Sequence, residues 1–254
     1  MLTIHQFPCL DDNYGFLVHD AASGETTTID TPDAGAILRE CAAKSWRLTH
    51  IWNTHWHPDH AGGNAELKEK TGCFVVGPAE VERIGAAPDR VIAHGDVVRL
   101  GGTESIVIDV GGHTLGHIAY HLPTEKAAFV GDSIFALGCG RMFEGTAPQF
   151  WESLSRIAAL PDETTLYCAH EYTASNARFA LSVDPDNADL RARADEITRL
   201  RAEGRPTVPM SLAGEKRANP FLRSPLLKSS LGLAEAADHE AFAEMRRRKD
   251  VFRG

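Results

Sequence analysis

The amino-acid sequence predicts a mixed α/β domain followed by a smaller, mostly helical region, and three observations support this fold class. Up to about residue 173, short β-branched and aromatic runs alternate with segments of helical periodicity. After that point the helical period dominates, interrupted by a Pro-rich stretch at 206–225 that we expect to be irregular. The composition, 43% hydrophobic and 24% charged over 254 residues, is typical of a globular protein with a sizeable core.

The individual elements follow from local patterns along the chain. The opening strands are separated by turn-forming Asp, Asn, Gly and Ser residues. A helix at 33–44 has apolar residues at helical spacing and Asp33 in position to cap it, and the β-branched run at 48–55 predicts the next strand. The same criteria predict further strands at 2–7, 15–20, 25–30, 73–77, 105–110, 118–123, 126–132 and 164–170, and helices at 62–72, 148–160, 172–182, 188–204 and 235–252.

Charge and cysteine usage exclude several classes of protein. The formal net charge of -9 argues against a nucleic-acid partner. The N-terminal residues have no basic segment before an apolar run, and no stretch approaches the ~18 apolar residues of a membrane span. The five cysteines are odd in number and include no CxxC pair, which is typical of reduced thiols. We therefore expect a cytoplasmic protein, monomeric, without nucleic-acid or membrane partners.

The segment "HWHPDH" is a candidate metal-binding loop. His55 and His57 lie two residues apart at the end of a predicted strand, so both side chains are expected on one face. Pro58 stops that strand, and the turn after it re-aims Asp59 and His60. A single His or Asp on a loop is more often structural, but four such groups in six residues indicate metal binding. Two pairs of ligands with different directions suit two adjacent ions better than one.

Three more candidate ligands follow predicted strands, where functional loops are commonly displayed: His113, Asp132 and His170. Each alone is equally typical of a helix cap or a hydrogen-bonded core residue. Together with the loop they form a nitrogen and oxygen donor set that suits zinc, iron or manganese, and the absence of cysteine from it disfavours a structural zinc site. Two divalent ions facing two carboxylates would retain positive charge and lower the pKa of a bound water from about 15.7 towards about 7. We therefore expect hydrolysis.

Several longer motifs are spread over nearly the whole chain: "PCLDDNYGFLV", "THWHPDHAGGN", "GGHTLGHIAY", "FVGDSIFALGCGRMFEGT", "LYCAHEYTASNARFA", "NPFLR" and "MRRRKD". In these motifs the sequence resembles the glyoxalase II (hydroxyacylglutathione hydrolase) family of the metallo-β-lactamase superfamily. The metal motif alone indicates the superfamily, and the flanking motifs and the helical tail narrow the resemblance to the family. It implies an αββα sandwich, with a catalytic domain at 1–173 and a helical substrate-binding domain at 174–254.

The resemblance also implies a reaction and a role for each ligand. One divalent metal ion would be held by His55, His57 and His113, the other by Asp59, His60 and His170, with Asp132 bridging them. Zinc is the favoured metal, with iron or manganese as alternatives. The implied reaction hydrolyses S-D-lactoylglutathione and related 2-hydroxyacylglutathiones to glutathione and D-lactate by a metal-bound hydroxide, as part of methylglyoxal detoxification. Asp59 and Asp132 would be catalytic.

Glutathione recognition in the family implies further site residues. A basic side chain in the "GCG" loop, a tyrosine beside the last histidine ligand and an R-x-x-K pair match Arg141, Tyr172, Arg246 and Lys249. A run such as "RRRK" taken alone is typical of a solvated helix end. With an anionic tripeptide as the implied substrate, we expect binding by Arg246 and Lys249 but not by the two arginines between them.

The loop that contains Arg141 departs from the pattern of many family members, which have Lys and Tyr where this sequence has Arg141 and Phe143. Arginine keeps the charge and can bind a carboxylate through two hydrogen bonds. Phe143 lacks the hydroxyl group, which would weaken or re-route one contact with the substrate. We expect this change to affect substrate affinity more than reaction type.

Two alternatives of function and two residue roles stay open. A mononuclear-iron glutathione persulfide dioxygenase of the same superfamily would keep four of the ligands but lack the full helical tail, and a non-catalytic metal-binding module would have no need of an open dinuclear site. His117 is expected to hydrogen-bond locally rather than bind metal. Asp30 is equally compatible with supporting the metal loop and with a turn.

Overall fold

A computed structural model describes residues 2–85 and 87–254, and its backbone forms two compact units. The first unit extends to Asp109 and resumes at Gly116–Gly131. The second unit consists of Val110–Leu115 and Asp132–Gly254. Among the described residues, none of the helices combines the length and apolar character needed to cross a membrane.

The first unit begins with a six-stranded sheet in the order β1 to β6. The pairs β1–β2 and β2–β3 are antiparallel, and the remaining pairs are parallel, so helices connect the later strands. The strands are β1 (Leu2–Cys9), β2 (Asn13–Asp20), β3 (Glu25–Ile29), β4 (His50–Trp52), β5 (Phe74–Gly77) and β6 (Arg90–Val91). The connecting helices are α1 (Ala34–Lys44), α2 (Pro58–Ala61), α3 (Asn64–Thr71) and a 3-10 helix at Ala79–Ile84.

A second, antiparallel sheet in the same unit packs face to face on the first. Its strands are β7 (Val97–Leu100), β8 (Thr103–Asp109), β9 (Ile118–Leu122) and β10 (Ala127–Gly131), in the order β10-β9-β8-β7, with a 3-10 helix at Pro123–Glu125. Aromatic rings fill the space between the sheets. Phe16 lies 5.5 Å from Phe129, and Trp52 stacks on Tyr120 at 5.3 Å. This apolar layer anchors the strand ends from which the functional loops leave.

The second unit is mostly helical and has its own core. Leu137 packs among alanine and aliphatic side chains of three helices, and Phe150 contacts Phe242 edge to face at 5.5 Å. The short strands are β11 (Ile134–Phe135), β12 (Gly138–Cys139), β13 (Thr165–Cys168) and β14 (Met210–Ser211). The helices are α4 (Ala147–Ala158), α5 (Thr173–Val183), α6 (Ala188–Ala202), α7 (Leu212–Ala218), α8 (Lys228–Leu231) and α9 (Asp238–Val251), with a 3-10 helix at Ser224–Leu227.

Two local predictions are wrong. The strand expected to reach His55 ends at Trp52, so the histidines lie on a loop and not on one face of a strand. The Pro-rich stretch at 206–225 is not irregular throughout, because Ser211 accepts a hydrogen bond from Gly214 N and starts the helix α7. The hairpin β11–β12, whose strands have two residues each, was not predicted, since strands of that length leave no periodic signal.

Removal of a ring from the layer between the sheets should lower stability. We expect Phe129→Ala to reduce the free energy of unfolding by about 3–5 kcal/mol, because it leaves a cavity that the sheets cannot close. Phe74→Ala is the matched control, since Phe74 is 44% exposed, and should cost less than about 1 kcal/mol. Urea denaturation measures both. Equal losses for the two variants would contradict this account of the core.

Candidate metal centre and substrate cavity

Buried amide side chains shape the histidine-rich loop of the first unit. After β4 ends, Asn53 Nδ2 donates to the carbonyl oxygen of His60 at 3.0 Å, and Asn64 Nδ2 donates to Asn53 Oδ1 at 2.7 Å. His60 O also accepts from Thr31 N at 2.8 Å. These bonds fold the segment back on itself. The helix α2 begins at Pro58, directly after His57.

Ligand-type atoms of this loop converge although the strand prediction was wrong. His55 Nε2 and His57 Nδ1 lie 3.0 Å apart, and His60 Nε2 lies 3.5 Å from Asp59 Oδ2. His55 and His60 are buried, whereas Asp59 is partly exposed. The loop therefore presents two pairs of donor atoms from one short segment, and their role as metal ligands stays a prediction.

Asp30 is the structural support of this loop. Its Oδ1 accepts from Thr54 N at 2.7 Å, and its Oδ2 accepts from Thr54 Oγ1 at 2.8 Å and from His60 Nδ1 at 2.8 Å. Asp30, His55 and His60 also offer ligand atoms within 4.8 Å of one another. Both Asp30 oxygens are already engaged with the loop, so Asp30 orients His60 and is not itself a ligand in our interpretation. Its φ of 58° is left-handed, and the three bonds hold it there.

His55 is oriented in a similar way. Thr54 Oγ1 donates to Asp30 and lies 3.0 Å from His55 Nδ1, which can donate to it in turn. That arrangement places the proton on Nδ1 and leaves the lone pair on Nε2. The ring of His117, fully buried, stacks on His55 at 4.5 Å. The structure thus gives His117 a packing role beside a ligand, and it gives Thr54 a role that the sequence did not reveal.

Asn13 is a second residue that the sequence motif contained without showing its chemistry. Its Nδ2 donates to Asp59 Oδ2 at 3.1 Å. Asn13 is the first residue of β2, immediately after the turn of the opening hairpin. Its only signal in the sequence was its place in the family motif, because the two residues are 46 positions apart.

The second unit holds the other three predicted ligands, with the imidazoles of His113 and His170 next to the carboxylate of Asp132. His113 Nε2 lies 3.4 Å from Asp132 Oδ2, and His170 Nε2 lies 3.3 Å from Asp132 Oδ1. All three side chains are buried. Each oxygen of Asp132 therefore faces one imidazole, which is the arrangement expected of a carboxylate that bridges two ions.

The loop of His113 is joined to the loop of Arg141. His113 Nδ1 donates to the carbonyl oxygen of Arg141 at 2.9 Å, and Phe143 N donates to His113 O at 3.3 Å. The Phe143 ring, 60% exposed, contacts the His113 ring at 5.2 Å. The candidate substrate loop thus fixes the orientation of a candidate ligand, so that its Nε2 faces Asp132.

A cavity of about 490 Å³ opens beside these ligands in the second unit. One part of its wall is formed by His113 and Asp132, and another part by residues of helices α5 and α9. All the substrate-binding residues predicted from the sequence lie on this wall: Arg141, Phe143, Tyr172, Arg246 and Lys249. Their contribution to binding stays a prediction.

The "RRRK" run divides its side chains between the cavity and the surface. Arg246 is buried and donates from Nη1 to the carbonyl oxygen of Cys139 at 3.0 Å, and Lys249 Nζ donates to Ser175 O at 3.1 Å. The two residues between them pair with Glu244 instead: Arg247 at 2.7 Å and Arg248 at 2.9 Å. The helical period places residues three apart on one face, which explains the division.

The cavity carries concentrated positive charge. Burial, together with the nearby cations of Arg246, Arg178 and Arg141, lowers the pKa of Lys249 to about 8. Asp250 of the same wall pairs with Arg246 at 2.8 Å. The remaining cations on the wall, those of Arg141, Lys249 and Arg253, favour an anionic ligand, since a carboxylate would relieve their mutual repulsion. The aromatic ring of Tyr172, which stacks on His170 at 4.7 Å, lies on the same wall.

The donor set fits divalent transition-metal ions. It consists of imidazole nitrogens and carboxylate oxygens without thiolates, which matches the preference of zinc, iron and manganese. His55, His60 and His113 each have Nδ1 next to a protein oxygen, which leaves Nε2 for a metal. No cysteine takes part, and the five cysteines are buried free thiols.

Comparison with known families identifies the class of protein. Residues 27–170 match the family model described as metallo-beta-lactamase superfamily, and residues 171–252 match the one described as hydroxyacylglutathione hydrolase C-terminus. The chain therefore belongs to the metallo-beta-lactamase superfamily. It is 60% identical over 254 residues to the hydroxyacylglutathione hydrolase of Erythrobacter litoralis, covering 99% of this chain and 100% of that protein. Within the superfamily, it belongs to the hydroxyacylglutathione hydrolase family.

A second relative carries the same family name, and solved structures share the fold. The hydroxyacylglutathione hydrolase of Hyphomonas neptunium is 56% identical, covering 99% of each chain. The crystal structure of ETHE1 from Myxococcus xanthus has a TM-score of 0.70 at 28% identity, covering 99% of this chain and 92% of that one. A metallo-beta-lactamase from Staphylococcus aureus has a TM-score of 0.67 at 21% identity, covering 98% and 71%, which shows the fold alone. The predicted family and fold class are confirmed.

Replacement of the Asp30 carboxylate should weaken metal binding. We expect Asp30→Asn to lower metal affinity about 10–100-fold, because His60 Nδ1 loses the charged acceptor that holds its orientation. Competition with a chromophoric chelator measures the affinity of the metal-free protein. Asp33→Asn is the control, since Asp33 caps α1 and asparagine caps a helix equally well. Equal affinity of the two variants would exclude the proposed role of Asp30.

Proposed function

We propose that this protein hydrolyses the thioester of S-D-lactoylglutathione and related 2-hydroxyacylglutathiones, releasing glutathione and D-lactate. The observation that carries the proposal is the cavity of the second unit, where metal-type ligands meet a wall of cations and aromatic rings. The full-length relatives named hydroxyacylglutathione hydrolase support the same substrate class. In a cell, this step would serve methylglyoxal detoxification.

We further propose that the two ligand sets hold two divalent metal ions, with zinc favoured over iron or manganese. The division follows the family pattern: His55, His57 and His113 for one ion, Asp59, His60 and His170 for the other, and Asp132 for both. Support comes from the paired donor atoms of the loop and from the two oxygens of Asp132 that face different imidazoles. When bound, such ions supply an activated water as nucleophile and stabilise negative charge on the carbonyl oxygen.

The protein's own residues would bind and orient the substrate. Arg141 and Lys249 would pair with the carboxylates of the glutathione moiety, and Tyr172 would line the path to the ligands. We also propose a catalytic domain at 1–173 and a substrate-binding domain at 174–254. The position of α9 on the cavity wall supports this assignment. The side chain of Phe143 can contribute an apolar contact but no hydrogen bond to the substrate.

The leaving group needs little help from the protein. Water adds to the thioester carbonyl carbon and loses its protons to solvent, which leaves the lactate carboxylate. The carbon–sulfur bond breaks, and its electron pair leaves with the sulfur, which afterwards takes up a proton from solvent. Because a thiol pKa is about 8.5, glutathione departs as a thiolate near neutral pH. The chain therefore needs no separate acid beside the sulfur, and its task is to hold the thioester in the cavity that Asp132 lines.

Cytoplasmic location and a monomeric state also belong to this proposal. The free thiols of all five cysteines support a reducing compartment. Burial raises the pKa of the Cys139 and Cys168 thiols, to about 11 and about 12, so both stay protonated near neutral pH.

Loss of the bridging carboxylate should abolish the reaction. We expect wild-type protein to hydrolyse S-D-lactoylglutathione with close to two metals per chain, and Asp132→Ala to lower kcat about a thousandfold or more while keeping the fold. A thiol-detecting assay, metal analysis and circular dichroism measure these quantities. Asp162→Ala, at an exposed aspartate, should leave kcat unchanged.

Two results would overturn this assignment. Absence of thioesterase activity in metal-replete protein would refute it, and oxygen uptake on glutathione persulfide would then favour the dioxygenase. Full activity of Asp132→Ala would exclude the bridging role of that carboxylate.

The charge of Lys249 should appear in the pH profile of kcat/KM, which reports ionisations of the free enzyme. A lysine binds a carboxylate only below its pKa, so kcat/KM should be full below pH about 8 and fall above it. Lys249→Arg stays charged and should extend the plateau to higher pH. Lys249→Met should raise KM about tenfold or more at pH 7.

Lys228→Met is the matched control for Lys249→Met, because Lys228 pairs with Asp238 away from the cavity wall. We expect wild-type KM and an unchanged pH profile for this variant. An identical decline above pH 8 in the wild type and in Lys249→Arg would assign that ionisation to another group.

A further inference from the structure

The hairpin β11–β12 is a fully buried turn that forms part of the cavity wall. Phe135 pairs with Gly138, and Ala136 and Leu137 form the turn between the strands. All the residues from Ile134 to Cys139 are buried. Water cannot satisfy the peptide groups of such a segment, so each needs a partner within the protein.

Glu215 of α7 and Asn219, immediately after that helix, supply several of these partners. Glu215 Oε2 accepts from Leu137 N at 2.8 Å. Asn219 Nδ2 donates to Phe135 O at 3.1 Å and to Gly138 O at 2.9 Å. It also lies 2.9 Å from Glu215 Oε2, so the two side chains form one connected unit. Glu215 is 2% exposed and Asn219 is fully buried.

Two other helices complete the set. Asn176 Nδ2 of α5 donates to Ala136 O at 3.1 Å, and Arg246 Nη1 of α9 donates to Cys139 O at 3.0 Å. Each of the five successive residues from Phe135 to Cys139 therefore has a main-chain group bonded to a side chain from the C-terminal helices. The position of the hairpin depends on these side chains rather than on a long strand ladder.

The backbone conformation of Leu137 indicates that the surrounding protein holds the turn in its shape. Its φ of 56° lies in the left-handed region, which a leucine rarely adopts. Such a conformation persists when the surroundings fix it. The bond from Leu137 N to Glu215 is the direct side-chain restraint at this residue.

The hairpin carries groups of the candidate site. The Phe135 ring contacts His170 at 5.9 Å and Tyr172 at 5.3 Å, and Cys139 also lines the cavity. Arg141 follows two residues after the hairpin. A displacement of the turn would therefore move both the aromatic wall and the start of the cationic loop.

We infer that Glu215 and Asn219 are positioning residues for substrate binding: they hold the β11–β12 hairpin in the shape that accepts the glutathione moiety. Neither side chain lines the cavity, so they act through Phe135 and Arg141. The inference rests on the proposed function for the identity of the substrate. It extends the binding site to two buried residues whose bonds to the hairpin span 78 to 84 positions of the sequence.

The conservative variant follows from the chemistry of Glu215. Burial raises the pKa of its carboxyl to about 7, so a neutral side chain with an oxygen acceptor is a close substitute. Glu215→Gln keeps that acceptor for Leu137 N, whereas Glu215→Leu has a similar size and no acceptor. The pair therefore separates the hydrogen bond from the volume of the side chain.

The test combines hydrogen exchange with steady-state kinetics on the metal-loaded protein. In Glu215→Leu we expect at least tenfold faster amide exchange in the 134–139 segment and at least a fivefold higher KM for S-D-lactoylglutathione, with kcat changed less than twofold. Glu215→Gln should restore both quantities to within twofold of wild type. If Glu215→Leu fails to fold, Asn219→Ser removes the donors to Phe135 and Gly138 and should raise KM in the same way.

Ser211→Ala is the matched control, because Ser211 caps the same helix α7 without contacting the hairpin. It should lower Tm while leaving KM and hairpin exchange unchanged. An equal rise of KM in Ser211→Ala would reduce the role of Glu215 to general stability and overturn the inference. Unchanged KM and exchange in folded Glu215→Leu would also overturn it. Inactive wild-type protein would refute the proposed function, whereas the exchange difference between the two variants would still decide whether Glu215 holds the hairpin.

Discussion

The candidate site depends on one constraint: a buried imidazole can offer one nitrogen to a metal only if its other nitrogen is satisfied by the protein. Asp30 meets this requirement for His60, Thr54 for His55, and the carbonyl oxygen of Arg141 for His113. In each case the partner fixes both the tautomer and the direction of the ring. Within the first unit the protein itself thus orients the rings of His55 and His60, and within the second unit it orients the ring of His113.

The same constraint links the ligands to the substrate loop. The main chain of Arg141 accepts from His113, while its side chain lies on the cavity wall. A residue that we propose to bind the substrate thus also orients a candidate ligand, which would couple substrate binding to the geometry of the centre. Phe143 strengthens the link through its amide and its ring, neither of which requires the hydroxyl that many family members have.

A buried polar group costs free energy unless it has a hydrogen-bond partner. In the second unit, this requirement bears on the position of the β11–β12 hairpin. The helices of this unit contribute side chains that bond to consecutive peptide groups of the β11–β12 hairpin. The C-terminal helices therefore do more than cover the cavity. They determine the shape of a loop that is too short to be held by strand pairing.

Sequence patterns predicted the fold class, most elements and the ligand-rich loop, because apolar periodicity and clustered His and Asp residues are local signals. The family motifs added a role for the "RRRK" run, and the helical period accounts for which of its members reach the cavity. Whether Asp30 was a turn residue or a partner of the loop stayed open, since its contact with His60 joins residues 30 positions apart.

The sequence by itself determined which side chains have metal-binding chemistry and that a helical C-terminal region follows them. Only the tertiary structure decided how those side chains are oriented: that β4 stops at Trp52, that Asn13 reaches Asp59, and that Glu215 holds Leu137. The physical reason is that hydrogen bonds between distant segments leave no period in the chain. They exist only once folding has brought a donor and an acceptor together and removed the water that would otherwise satisfy both.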